Sequence, residues 1–173
     1  MSASEGGRRA AATSTGLILA LLDEAYSRKA WHGPNLRGAL RGVSAREAAW
    51  RPSAARHNIW ELTVHASYWK YAVRRMLTGE RRGSFSEKGS NWFRRPTSAT
   101  PEAWRRDVAR LDAEHRRLRD VVAGLPATGL SRRLPGSKYA TARLLYGVAS
   151  HDLYHAGQIQ LLKVLQRRKR RRA

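Results

Sequence analysis

The stretch GVASHDLYHAGQIQLLK, residues 147–163, decides the fold. Its apolar residues recur at steps of three and four, the period of one face of an α-helix. Two histidines, His151 and His155, lie within this stripe and not beside it. Side chains four apart on a helix lie one above the other, with Cβ atoms about 6 Å apart. Both imidazoles are therefore predicted to face the core. The full stripe is Leu144, Val148, His151, His155, Ile159 and Leu162.

A second histidine-bearing helix is predicted from HNIWELTVHASYW, residues 57–69. Here His65 lies between Leu62 and Trp69 on an apolar stripe that continues through Ala72 and Met76. Any one buried histidine is explained by a hydrogen bond to a neighbour. Three imidazoles facing one interior favour a divalent metal ion, because one ion satisfies three nitrogen lone pairs at once. Three protein ligands also leave a coordination position open, as in catalytic metal sites.

The residue types present restrict the chemistry of such a site. The chain has no cysteine, so thiolate ligands, disulfides and cysteine nucleophiles are excluded, and a cytoplasmic location is expected. In the H-x-x-x-H spacing of the last helix, Asp152 occupies the position where a metalloprotease has glutamate. The pattern therefore does not predict a protease of the H-E-x-x-H type.

The remaining patterns also indicate helices, and the fold class is predicted to be all-α. Residues from Thr13 or Ser14 to Val43 predict a first helix, kinked near Gly33-Pro34, and Ser44 with Glu47 matches a capping box. Thr100-Pro101-Glu102 predicts the start of a third long helix. With residues 80–100 as a long loop rich in Gly, Ser, Arg and Pro, we predict an antiparallel four-helix bundle.

The length of 173 residues fits one domain. We predict a flexible N-terminal arm at 1–12, a helical-bundle domain at 13–166 and a basic C-terminal tail at 167–173. No apolar run approaches the length of a membrane span, so no membrane association is expected.

A net charge of +21 favours a nucleic-acid partner at first sight. Most of the basic residues are arginine, however, and the chain is also rich in alanine and glycine, a bias that a GC-rich genome produces. Part of the charge lies in one block, residues 167–172. A nucleic-acid-binding module therefore stays the alternative to a metal-binding protein. Its candidate contacts are Arg105, Arg106, Arg116, Arg117, Arg119 and the tail.

Three segments resemble the DinB/YfiT-like superfamily: WHGPNLRGAL (31–40), HNIWELTVHASYW (57–69) and GVASHDLYHAGQIQLLK (147–163). The resemblance extends from about residue 16 to 166. It implies a four-helix bundle with a metal held by one histidine of the second helix and two of the fourth, which here are His65, His151 and His155. The family includes thiol-dependent transferases, an isomerase and hydrolase-like members, so the resemblance leaves the reaction open.

Further polar residues are candidates for roles around the metal. Glu61, one turn before His65, is a candidate hydrogen-bond partner for that imidazole, with a capping or surface role as the alternative. His115 is a candidate fourth ligand or general base, or else a histidine at the edge of the core. Asp152 is expected to meet solvent or a basic neighbour. His57, His32 and the hydroxyls of Tyr68, Tyr139 and Tyr154 are weaker candidates for substrate contact.

These observations predict a metal-dependent enzyme of the hydrolase or thiol S-transferase type that acts on a small molecule. A low-molecular-weight thiol is one candidate for this small molecule. Nickel and zinc are the expected ions, because imidazole suits both. The alternatives are a metal-binding protein without catalysis and the nucleic-acid module. A homodimer is expected.

Overall fold

The computed structural model describes residues 14–89 and 91–170. The predicted N-terminal arm at 1–12 lies outside the described residues, as do residues 171–173. The described part of the chain is all-helical and has no strand beyond an isolated bridge between Arg133 and Ala140. Its six α-helices are α1 (Ser14–Tyr26), α2 (Leu36–Ala39), α3 (Ala45–Ala49), α4 (Ile59–Thr78), α5 (Pro101–Ala123) and α6 (Thr141–Arg170).

Local capping sets most helix ends. The side chain of Asn58 caps α4, and Gly79 ends that helix in the left-handed conformation at φ 73°. Thr100 caps α5, with Pro101 in its first turn. The capping box of Ser44 and Glu47 is formed at the start of α3. These ends lie within a residue or two of the predicted positions.

The predicted kinked first helix is wrong, because the chain forms three separate helices there. α1 already ends at Tyr26, and the backbone N–H groups of Ser27 and Arg28 both donate to the carbonyl of Asp23. Gly33, at φ 115°, and the following Pro34 prevent the helix from resuming. Asn35 then caps α2 as a new start.

The last helix is longer than predicted. α6 continues through Arg170, into the segment predicted to be a tail. Arginine and lysine are good helix formers, and residues 167–170 contain no glycine or proline to stop the helix. The basic segment is therefore helical as far as Arg170.

The four longer helices pack in pairs, α4 against α5 and α6, and α1 against the same two helices. Contacts between α4 and α5 advance together along both helices: Trp60 bonds to Asp107, and Arg74 bonds to Glu114. These two helices are therefore parallel, and the prediction of a fully antiparallel bundle is corrected for this pair. The long connection 79–100 is the physical reason, since it lets the chain return to the end at which α4 began.

The apolar core has two parts. One contains the first half of α4 with the C-terminal half of α6, and includes Ala66 and Ala156. The other contains the end of α4 with the start of α6, and includes Val73 and Val148. Near the junction of the two parts, both helices carry buried polar side chains: His65 and Lys70 on α4, and Asp152 and His155 on α6. None of the helices formed by the described residues is long and apolar enough to cross a membrane.

Candidate metal centre

The three predicted histidines come together between α4 and α6. Nε2 of His151 lies 3.0 Å from Nε2 of His65 and 3.0 Å from Nε2 of His155. Each residue offers one ring nitrogen, and the three nitrogens lie within 4.8 Å of one another. His65 and His155 are buried, and His151 is half-buried. The three form the only group of histidine and carboxylate side chains in the described residues that could hold a metal ion.

The outer ring nitrogens fix the tautomers of two of these histidines. His65 donates its Nδ1–H to the backbone carbonyl of Asn91 at 2.7 Å, and His155 donates its Nδ1–H to Oε1 of Gln158 at 2.6 Å. Because a neutral imidazole carries one proton, both Nε2 atoms then carry lone pairs. The two lone pairs are directed at His151. Oriented imidazoles of this kind are typical of metal ligands.

The neutral cluster is not satisfied by its own hydrogen bonds. A proton on Nε2 of His151 serves one of its two neighbours at a time, so the Nε2 lone pair of the other neighbour, also 3.0 Å away, is left without a hydrogen-bond donor. Nδ1 of His151 is buried without a hydrogen-bond partner among the described residues. Two nitrogens bound at about 2.0–2.1 Å to one ion lie about 2.9–3.4 Å apart at angles of 90–109°. The donor set and its spacing therefore fit a divalent ion.

Burial keeps these histidines neutral. It lowers the pKa of His65 to about 4 and the pKa of His151 to about 3, and neighbouring imidazoles act in the same direction. Burial also lowers the pKa of His155, although the hydrogen bond to Gln158 opposes the shift. The unprotonated form is the one that binds metals.

Trp92, from the connection 79–100, covers the cluster. Its ring is stacked between the imidazoles of His65 and His57, at centroid distances of 3.7 Å on both sides and interplanar angles of 6° and 3°. Its edge faces His155 at 6.3 Å. Together with the carbonyl of Asn91, it ties the connection directly to the cluster. Trp92 lies in the segment 80–100 that was predicted as a long loop, and no local pattern in the sequence assigned it to the site.

Glu61 does not contact His65, so its predicted role as the partner of that imidazole is wrong. Its carboxylate is buried and accepts hydrogen bonds from Arg51, from Nδ1 of His57 at 3.0 Å and from the backbone N–H of Arg95 at 3.2 Å. Burial alone raises the pKa of this carboxyl, but the bonds from Arg51 and His57 outweigh it and lower the pKa. Glu61 therefore holds His57 against Trp92.

Asp152 is fully buried and pairs with Lys70, whose side chain is also fully buried. Of the two environments predicted for Asp152, the structure shows the basic neighbour and excludes exposure to solvent. Burial raises the pKa of Asp152 to about 6, and the ammonium of Lys70 opposes this shift. The sequence signal was Lys70 itself, the one lysine or arginine among residues 59–73 of α4.

His115 is not a member of the three-histidine group. Its ring stacks on Tyr26 at 3.8 Å, and its Nε2 lies 3.9 Å from Oδ1 of Asp23. Burial lowers the pKa of His115 to about 3, and the charges of Lys70 and Arg119 act in the same direction. The structure therefore places it in the core, as in the alternative reading, and gives no support to a fourth ligand.

The weaker candidates for substrate contact lie in different environments. His32 is exposed and Tyr68 packs among the rings of Tyr71, Phe85 and Phe93. Tyr154 contacts the ring of His155 at 5.2 Å. Trp69, which lies on the same apolar stripe as His65, contacts His65 and His151 edge-on at 6.3 Å.

Two openings reach the cluster from different sides. The first, which we call the Trp92 cleft, has a volume of about 720 Å³ and includes His57, Trp92, Tyr154, His155 and Gln158 in its lining. The second, which we call the Tyr139 groove, has a volume of about 360 Å³ and includes Trp69, Tyr139, Arg143 and His151. Small molecules therefore have access to the histidines.

Comparison with known families gives one result. The model of the DinB superfamily matches residues 29–159, which include the three histidines and most of the bundle. No curated protein and no solved structure matches the chain.

Proposed function

Since the chain belongs to the DinB superfamily, we propose that it is a metal-dependent enzyme in which His65, His151 and His155 hold a divalent ion. The observation that carries the proposal is the convergence of three Nε2 atoms whose lone pairs the cluster cannot satisfy itself. Two of the imidazoles are already oriented by Asn91 and Gln158. The site is thus organised for an ion.

The chemistry that a bound ion supplies here is activation of water or of a substrate thiol, by lowering its pKa and polarising it. A reaction of the hydrolase or thiol-dependent transferase type on a small molecule follows. Because the chain has no cysteine, any thiol belongs to the substrate. Zinc or nickel is the proposed ion, since both accept imidazole ligands. A metal-binding protein without catalysis is the simpler form of the same proposal.

The residues of this chain supply the surroundings of the reaction. Asn91 and Gln158 orient two ligands, and Trp92 shields one face of His65 from water. His57 and Tyr154 line the cleft beside His155 and are placed to contact a substrate. We propose no general base, because neither Glu61 nor His115 contacts the cluster.

The proposed site is tested by replacing His155 with alanine. Removal of one of three nitrogen donors should lower the affinity for zinc or nickel by at least about tenfold to a hundredfold, the scale seen even for losses around the ligands. The fold should persist, because the apolar core does not depend on the ion. Metal content after purification and calorimetric titration give the measurement.

His32→Ala is the matched control, since His32 is exposed and distant from the cluster in the fold. Its metal affinity should equal that of the parent. Equal stoichiometry and affinity in the His155 variant and the parent would show that the three histidines are not the site.

We also propose that the four longer helices form one bundle, with two helices running in each direction. We further propose that the protein is a homodimer and that it is cytoplasmic. Leu17 and Leu21, about one turn apart on α1, have exposed fractions of 58% and 49%, and exposed apolar side chains of this kind mark interfaces. Light scattering at micromolar concentration should give twice the chain mass of 19.5 kDa. A mass equal to one chain would contradict the dimer.

The nucleic-acid alternative receives less support. Of the arginines on α5, Arg105 pairs with Glu102, Arg117 pairs with Glu114, and Arg119 pairs with Asp23. The positive charge of these α5 arginines is thus partly neutralised by the protein's own carboxylates. Binding that weakens steeply with salt and is lost on deletion of residues 167–172 would favour this alternative.

A further inference from the structure

The Trp92 cleft is apolar over most of its wall. Leu62 and Leu162 contribute buried side chains next to His155, and Leu161 and Leu165 extend the apolar surface outward with exposed fractions of 60% and 37%. Its volume of about 720 Å³ lies in the range of pockets that hold organic molecules. A strongly polar substrate would leave this wall without a complementary surface. The cleft therefore selects a molecule with an apolar body.

The described residues of this wall include one cation of fixed charge. Arg56 lines the cleft, and none of the aspartates or glutamates that the structure describes does. Its exposed guanidinium has no ion pair or hydrogen bond with a side chain in the described part of the chain. By contrast, the nearby Arg51 is bound to Glu61. Arg56 is thus available to an external anion, and no carboxylate of the lining competes for it.

The Tyr139 groove is also apolar and, among the described residues, is lined by one arginine and no carboxylate. It has half the volume, about 360 Å³, and its arginine, Arg143, lies over the ring of Tyr139 at 4.3 Å. The larger opening is therefore the one whose arginine has no side-chain partner among the described residues and which has room for an organic anion.

From these observations we infer that the substrate class of this site is an organic anion with an apolar body, whose anionic group binds Arg56 and whose body lies along Leu161 and Leu165 toward His155. That this organic anion is a substrate rests on the proposed function. The binding itself is independent of the metal, because Arg56 and the leucines are not ligands. Oxyanions such as carboxylates, sulfonates and phosphates suit the planar guanidinium, which can donate two parallel hydrogen bonds to two of their oxygens.

The test uses octane-1-sulfonate, 1-octanol and octyltrimethylammonium, which share an apolar chain and differ in charge. A sulfonate is chosen because it is a poor metal ligand. Calorimetric titrations are run on the full chain at 150 mM salt, with and without zinc. Octane-1-sulfonate should bind three- to tenfold more tightly than octanol, the range for one charged hydrogen-bonded contact at a partly exposed site. The cation should bind most weakly.

Variants locate the contact. Arg56→Gln should abolish the preference for sulfonate over octanol, whereas Arg143→Gln, the matched change in the Tyr139 groove, should keep it. Leu161→Asn should weaken both ligands. Shortening the sulfonate from eight to six carbons should cost about tenfold, because each buried CH₂ contributes a factor of about three to four.

Equal losses in the Arg56 and Arg143 variants would overturn the proposal, because they would show general attraction to a basic protein. Octanol binding as tightly as the sulfonate would also overturn it. Zinc stoichiometry is measured on the same samples. A chain that binds neither zinc nor, in a parallel titration, nickel but keeps the Arg56-dependent preference refutes the metal proposal alone, and a chain that binds either ion without the preference refutes the cleft proposal alone.

Discussion

The indole of Trp92 fills the space between two imidazoles, one of which belongs to the metal centre. His65 is held on one side by this ring and at its Nδ1 by the carbonyl of Asn91. On the outer side of the indole, His57 is held by Glu61, which is itself bound by Arg51. A row of contacts therefore leads from Arg51 to one of the three histidines proposed to hold the metal. Residues that orient ligands influence metal affinity nearly as much as ligands do.

Trp92→Ala should therefore lower metal affinity by about tenfold, although Trp92 is not a ligand. Loss of the ring frees His65 to rotate and loosens the carbonyl of Asn91, so the nitrogen donor is less well placed. Trp92→Phe keeps a stacked ring and should retain most of the affinity. Competition titration with a chelator gives the measurement.

Trp31 provides the control, because its exposed fraction is 98% and it makes no contact with the cluster. Trp31→Ala should bind metal like the parent. If the alanine variants at 31 and 92 bind equally well, the stacked indole does not position His65.

The pairing of α4 with α6 depends on polar side chains in the middle of both helices. Lys70 and Asp152 form an ion pair with no exposure to solvent, and each helix carries metal-site histidines close by in sequence. A buried ion pair contributes little net stability compared with an apolar pair, but removal of one partner leaves an uncompensated buried charge. The pair therefore fixes how these helices can meet.

Lys70→Met should destabilise the metal-free protein by about 3–5 kcal/mol, because Asp152 then loses its counter-ion in the core. Lys70→Met combined with Asp152→Leu should recover most of that loss, since neither charge remains. Urea unfolding at pH 7 measures both. A double variant no more stable than the single one would show that packing, and not charge, causes the loss.

The whole bundle buries several histidines in neutral form, and this makes its stability depend on pH. The pKa values of His65, His115 and His151 are lowered by burial to about 4, 3 and 3. In the unfolded chain these residues take up protons near pH 6.5. As the pH falls below 6.5, the unfolded chain binds more protons than the folded protein does. Stability is therefore complete above pH 6.5 and is lost as the pH falls toward the folded pKa values.

Lowering the pH from 7 to 5 should destabilise the metal-free protein by about 2 kcal/mol for each of these histidines. The raised pKa of Asp152, about 6, offsets part of this loss, since that carboxyl takes up a proton in the folded state. Urea unfolding midpoints at the two pH values give the measurement. His115→Phe, which keeps a ring against Tyr26 and cannot titrate, should show a smaller difference. The same midpoint at pH 7 and pH 5 in the parent would contradict the effect.

Local patterns in the sequence were sufficient for the all-α class, the helix starts at Ser44 and Thr100, and the placing of three histidines on core-facing stripes. Capping and helical periodicity depend on residues only a few positions apart, so they are readable without a structure. The same patterns extended the first helix too far. They do not show that the residues after Tyr26 favour a helix too weakly to continue it to Gly33 and Pro34, which themselves disfavour a helix.

The tertiary structure alone decided which side chains and backbone groups from distant parts of the chain contact one another. Lys70 and Asp152 are 82 positions apart, and His65 and the carbonyl of Asn91 are 26 apart. The parallel direction of α4 and α5 likewise depends on the path of the long connection. Periodicity gives the face on which a side chain lies but not the residue opposite it, which is set by how the helices pack against one another. For this protein, the sequence by itself determined the three nitrogen donors, and the packing of the chain determined what orients and covers them.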